Sequence, residues 1–296
     1  MDMRLIAAMS FVMLLAIASS AQAQGERINV QGVERTYLLV GQKKPARLPL
    51  ILALHGNRGS GAQFARYAGW DELARQENIL VALPDGLNRA WADGRPQAQF
   101  RGKPPPPGTD DVAFLAALVA HLVQQGYADP TRVYITGLSN GGAMTYRMLC
   151  ERADLFAGAA PIITNLPDAV ARACRPSRRV PLLVMNGTAD RFAPFASQSG
   201  LTLGHEDALA FWRRHNGCGE IDARRTLPDR DPTDGSTVAV TSYACPANAR
   251  VLSYVIAGGG HQFPSIAKAP VLENLLGPRN RDIEGSRTLW DFFRHP

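Results

Sequence analysis

Beyond its first 23 residues the chain has no run of 18 uninterrupted apolar residues, which excludes a further membrane-spanning helix of ordinary length. It also lacks a dense basic arm. Lys and Arg total 32 against 26 Asp and Glu, a net charge of +6, but the basic residues are scattered, with Arg178-Arg179, Arg213-Arg214 and Arg224-Arg225 as isolated doublets. Without a basic stripe or a recognition module, no nucleic-acid partner is expected. Metal-binding patterns are missing too. There is no H-E-x-x-H, the acidic turn Asp229 to Gly235 has incomplete calcium-loop spacing, and no cysteine pair has the close spacing of a zinc knuckle. GNRGSG at 56–61 lacks the lysine and spacing of a phosphate-binding loop. No metal or organic cofactor is therefore expected. Nor is there a low-complexity linker or internal repeat, so one domain suffices for 296 residues that are 46% hydrophobic.

What is present begins with a candidate export signal. Arg4 precedes an apolar run from Leu5 to Ile17, followed by small residues ending Ala21-Gln22-Ala23. Residues 1–23 read as a signal peptide and 24–296 as the mature domain, secreted or periplasmic, with no stable membrane insertion after cleavage. Export changes the meaning of Cys150, Cys174, Cys218 and Cys245. Four cysteines allow three pairings in an oxidising compartment, and short loops favour Cys150 with Cys174 and Cys218 with Cys245.

Downstream, strand and helix patterns alternate. Strand candidates cover Ile28 to Val40, Leu48 to Leu54, Ile79 to Gly86, the VYITG run at 133–137, Phe156 to Ile163, Val180 to Asn186, Val238 to Tyr243 and Arg250 to Ile256. Helix candidates fall within Ala62 to Glu77, then over Asp110 to Gln125, Asn140 to Arg152, His205 to Asn216 and Thr288 to Arg294. PLILALHG is apolar almost throughout, as expected of a strand covered on both faces. The alternation predicts an α/β domain with a mainly parallel central sheet flanked by helices. Leu87 to Gly108, rich in Gly and Pro, is a surface excursion.

Gly137-Leu138-Ser139-Asn140-Gly141 matches G-x-S-x-G between a strand and a helix. Ser139 can cap the helix or serve as a nucleophile, and the strand-turn-helix context favours the nucleophile. A nucleophilic serine needs a base and a residue that orients it. Asp190 follows the apolar VPLLVMN run and His261 follows VLSYVI in a glycine-rich loop. Ends of parallel strands share one rim, so Ser139, Asp190 and His261 form the candidate set. An oxyanion hole needs two donors. One is the backbone N–H of Asn140; the other comes from the HGNRGSG turn, from Asn57 or Arg58. His55 reads as structural.

Together LHGNRGSG, GLSNGGAM, NGTAD, HNGC and GGGHQFP resemble the secreted α/β-hydrolase esterases grouped with polyhydroxybutyrate depolymerases and feruloyl or acetylxylan esterases, over roughly Gln31 to His295. The resemblance implies an α/β-hydrolase fold, a Ser139 nucleophile, a His261 base, an Asp190 orienting acid and disulfides near the two cysteine pairs. It implies hydrolysis of small or oligomeric carboxylic esters. Asn57 stands where several relatives carry a cysteine, so a third bridge is absent. For substrate contact the excursions offer Trp91, Phe100, Phe192, Phe195 and Phe263 as an apolar platform, with Arg95 or Arg101 for an acidic group. Two alternatives share these features: a serine peptidase, although no gating domain is evident, and a noncatalytic carbohydrate-binding protein. Without heptads or an association element the chain is expected to be a monomer.

Overall fold

The computed structural model describes residues 25–100 and 102–295; the expected signal segment and its cleavage point lie outside the described residues, as does Arg101. In chain order the elements are β1 (Glu26–Val30), β2 (Val33–Val40), β3 (Leu48–Leu54), α1 (Gly61–Tyr67), α2 (Trp70–Glu77), β4 (Leu80–Pro84), α3 (Asp111–Gln124), β5 (Ala128–Leu138), α4 (Asn140–Arg152) and β6 (Gly158–Ile162). There follow β7 (Leu166–Pro167), α5 (Asp168–Ala173), β8 (Leu182–Gly187), β9 (Thr202–Leu203), α6 (His205–Asn216), β10 (Ile221–Thr226), β11 (Thr237–Tyr243), β12 (Val251–Ala257), α7 (Pro270–Leu276) and α8 (Gly285–Phe293).

Ten strands form one sheet in the order β1-β2-β4-β3-β5-β6-β8-β12-β11-β10. The six from β4 to β12 run parallel, and antiparallel hairpins finish both edges. β7 and β9 make a separate two-stranded ladder. The parallel strands are apolar on both faces because helices cover both. In β3, Leu50, Leu52 and Leu54 face the core that also holds Phe114 of α3 and Trp212 of α6, whereas Ile51 and Ala53 face the core that holds Trp70 of α2 and Phe293 of α8. β8 alternates likewise, Leu182 and Val184 against Leu183 and Met185. The period of two that divides these residues between cores is that of the strand itself.

Local backbone chemistry explains where the elements differ from expectation. The single candidate at Ile28 to Val40 is a hairpin, turned at Gln31 and Gly32, both at positive φ. The helix expected within Ala62 to Glu77 is two helices, divided at Gly69, whose φ of 68° no helical residue adopts. No sequence pattern marks β10, since all six of its residues are exposed. Disulfides join Cys150 to Cys174, tying α4 to the end of α5, and Cys218 to Cys245, tying the end of α6 to the end of β11. Among the described residues no helix is long and apolar enough to cross a membrane.

Candidate active site

The central strand β5 delivers its last residues to the rim where β8 and β12 also end. Ser139 follows at φ 56°, ψ −117°, a conformation that costs a non-glycine residue about 1–3 kcal/mol and persists only where its surroundings impose it. Here they do. Its N–H donates to Ile162 O of β6 and its carbonyl accepts from Ala143 N of α4, each at 2.9 Å. Gly137 and Gly141 leave no room for side chains: a Cβ on Gly141 would lie 2.4 Å from Leu54 O, and one on Gly137 2.2 Å from Gly141 O. The strand, the helix and the turn after β3 thus meet through bare backbone.

This geometry decides between cap and nucleophile orientations. The Ser139 side chain makes no capping bond to α4. Its Oγ instead lies 2.9 Å from His261 Nε2, and His261 Nδ1 lies 2.7 Å from Asp190 Oδ2. Asp190 is buried, and its other oxygen accepts the N–H groups of Phe192 and Ala193 at 2.7 and 2.9 Å. A carboxylate facing three donors keeps the imidazole proton on Nδ1, leaving the Nε2 lone pair for the Ser139 hydroxyl.

Two adjacent strands place the acid and the imidazole. β8 and β12 are parallel neighbours, with Gly187 paired to Ile256. Beyond them the loops cross-bond: Thr188 N donates to Ile256 O, Ala189 N to Gly259 O, and Gly258 N to Thr188 Oγ1, all at 2.9 Å. His261 N donates to Leu276 O at the end of α7. Buried Arg279 braces this loop from behind, donating to the carbonyls of Phe263, Ala267 and Tyr67. Sequence reasoning missed Arg279, because its partners lie up to 212 positions away and share no local pattern with it.

Between the two oxyanion candidates of the HG turn the backbone discriminates. Arg58 N already donates to Arg89 O at 2.8 Å, so Arg58 is withdrawn and Asn57 retained. The Gly56 carbonyl, on the same peptide as the Asn57 N–H, accepts from Gly59 N at 2.9 Å and faces His55 Nδ1 at 2.8 Å. His55 Nε2 accepts from Gly86 N, so the ring is neutral with its proton on Nδ1; burial lowers its pKa and favours that state. The turn lies against the nucleophile: a Cβ on Gly56 would sit 3.6 Å from Ser139 Cβ.

Of the aromatic platform, the structure keeps part. Trp91 and Phe263 are fully buried and are withdrawn as substrate contacts. Trp91 donates its indole N–H to His55 O, and Phe263 packs edge-on against Phe64. A strand-end loop in this fold turns large apolar side chains inward as readily as outward, and sequence does not distinguish the two. Phe192 is 38% exposed with its ring 5.2 Å from that of His261. Phe195 is half-buried and stacks on His205, while Phe100 lies beneath the Arg95 guanidinium. Among the described residues no group of three or more His, Cys, Asp or Glu is placed to hold a metal ion.

Comparison with solved structures places the fold. The acetyl xylan esterase from Aspergillus awamori superposes with a TM-score of 0.60 at 14% identity, covering 92% of this chain and 99% of that one. The chain has the α/β-hydrolase fold. In sequence it is similar to proteins named as esterases and as a depolymerase. It is 28% identical to a putative esterase, NocK, of Nocardia uniformis subsp. tsuyamanensis, over 93% of this chain and 83% of the relative. It is 27% identical to feruloyl esterase B of Piromyces equi over 72% of this chain, and 32% identical to poly(3-hydroxyalkanoate) depolymerase C of Paucimonas lemoignei over 40%. Those two alignments span only 39% and 28% of the relatives' own lengths. Residues 106–164, from the approach to α3 through β6, match the prolyl oligopeptidase family.

Proposed function

We propose that this protein is a secreted or periplasmic serine esterase, active as a monomer, with residues 1–23 as its signal and 24–296 as its single catalytic domain. The observation that carries the proposal is the unbroken chain of contacts Ser139 Oγ, His261 Nε2, His261 Nδ1, Asp190 Oδ2, at 2.9 and 2.7 Å. His261 takes the Ser139 proton as Oγ bonds to the ester carbonyl carbon. The carbonyl oxygen becomes an oxyanion facing the backbone N–H groups of Asn57 and Asn140. Collapse breaks the bond to the alcohol, which leaves with the proton held on His261. Water, deprotonated by the same imidazole, then attacks the acyl-serine and releases the acid and Ser139.

The substrates proposed are hydroxyalkanoate oligomers or feruloylated and acetylated fragments of plant polysaccharide, in keeping with the names of the relatives. Exposed Phe192 beside His261 suits an apolar acyl or aryl group at the mouth of the site. Two disulfides suit an oxidising compartment. The match of residues 106–164 to the prolyl oligopeptidase family favours a second reading, amide hydrolysis by the same three residues. A mass-spectrometric panel of hydroxybutyrate oligomers, methyl ferulate, acetylated xylo-oligosaccharides and matched amides separates the readings. Ester cleavage lost in Ser139→Ala supports the esterase; cleavage of amides but not their matched esters supports the peptidase. Equal background rates in both folded proteins contradict both.

A further inference from the structure

Asn140 carries a backbone donor in the reaction proposed above, but its side chain points elsewhere. It is 2% exposed and bonds a segment 47–49 residues away. Oδ1 accepts from Trp91 N at 2.7 Å, and Nδ2 donates to Trp91 O at 3.0 Å and to Asp93 Oδ2 at 2.6 Å. A donor opposite the oxygen, and a carbonyl and a carboxylate opposite the nitrogen, permit only one orientation of the amide. Asp93 is itself buried and held by the Arg95 guanidinium, so its charge is compensated. Trp91 then reaches onward: its indole N–H donates to His55 O at 2.9 Å, and its ring lies 5.0 Å from the His55 imidazole.

We propose that Asn140 is a positioning residue whose side chain, acting through Trp91, fixes the separation between its own backbone amide and the amide of the Asn57 turn. The inference rests on the esterase reading of the site. The two amides lie in different turns, after β5 and after β3, and must converge on one oxygen. The chain has a rigid member at each step. Asn140 pairs with both the N–H and the C=O of Trp91, as a strand partner does, which fixes the backbone from which the fully buried indole reaches His55 O. His55 holds the Gly56 carbonyl, and in a trans peptide that carbonyl points opposite the Asn57 N–H. Loss of the Asn140 side chain loosens this register while leaving Ser139, His261, Asp190 and both amides chemically present.

The test is the second-order rate of Ser139 labelling by a fluorophosphonate, whose phosphoryl oxygen occupies the oxyanion hole as fluoride leaves, together with kcat, KM and melting temperature. Asn140→Ala is expected to label, and to turn over ester, on the order of 10²-fold more slowly with KM little changed, the loss typical of one misplaced oxyanion donor. Trp91→Phe, which removes the indole N–H and shortens the buried ring, is expected to slow labelling about tenfold; the double variant should be no slower than Asn140→Ala, because both changes cut one linkage. If Asn140→Ala fails to fold, Trp91→Phe alone carries the test. Folded variants that label at the wild-type rate, even with a lowered melting temperature, or whose effects simply multiply, overturn the proposal while leaving the esterase reading intact. A folded wild-type protein that is not labelled at all overturns both.

Discussion

His205 begins α6 fully buried, between Asn186 Oδ1 and Ser253 Oγ, with the Phe195 ring stacked 4.8 Å away. Burial lowers its pKa from 6.5 to about 4. Between those values the unfolded chain binds a proton that the folded chain does not, so stability is complete above pH 6.5 and falls as pH drops toward 4. The full loss is about 3 kcal/mol. Urea midpoints at pH 7 and pH 4.5 should therefore diverge less in His205→Gln than in the wild type; equal divergence would contradict this. Asp190 makes a different case. In Asp190→Asn the oxygen can still accept from Phe192 and Ala193, but an amide N–H facing His261 Nδ1 moves the imidazole proton to Nε2, where Ser139 needs a lone pair. The expected fall in kcat is about 10⁴-fold with little change in melting temperature; a drop under tenfold would contradict the orienting role. At this scale the sequence marks Ser139, Asp190 and His261 by their places after apolar runs. It is silent on Arg279 and on the Asn140 side chain, whose partners are brought to them only by the sheet order.

The elements most legible in sequence are those whose pattern and boundary chemistry agree. Helix α6 carries Glu206 and Asp207 in its first turn, three basic residues in its last, and Gly217 in a left-handed conformation at its end, so both boundaries are written in residue types. The division of α1 from α2 is not, because the amphipathic spacing continues through Ala68 and Gly69. β10 carries no hydrophobic signal at all. The elbow between β5 and α4 depends on missing side chains. Gly141→Ala sets a Cβ 2.4 Å from Leu54 O and 2.6 Å from His55 O, backbone atoms that cannot give way cheaply. The expected cost is about 3 kcal/mol, the upper range for overpacking, with activity falling in parallel. A Gly141→Ala protein with unchanged melting temperature and rate would contradict the close approach of strand, turn and helix.

Across the whole molecule, one sheet with two covered faces brings three strand ends to a common rim, which is why residues 122 and 71 positions apart touch. The alternation of strand and helix patterns makes that architecture readable before any coordinates. Which aromatic side chains face the rim is not readable, as buried Trp91 and Phe263 show. The two bridges close loops of 24 and 27 residues on the same framework, each worth roughly 3–4 kcal/mol by loop closure. Reduction and alkylation should lower the melting temperature accordingly, and an unchanged transition would contradict a stabilising role. The central claim, that Ser139 attacks an ester carbonyl, is tested most directly by acid-quenching the protein within milliseconds of mixing with p-nitrophenyl acetate and mapping the modified peptide. The account predicts an acetyl group on Ser139, within residues 133–147, formed in a burst and absent in Ser139→Ala. An acetyl group elsewhere, or ester hydrolysis that persists in folded Ser139→Ala, would contradict it.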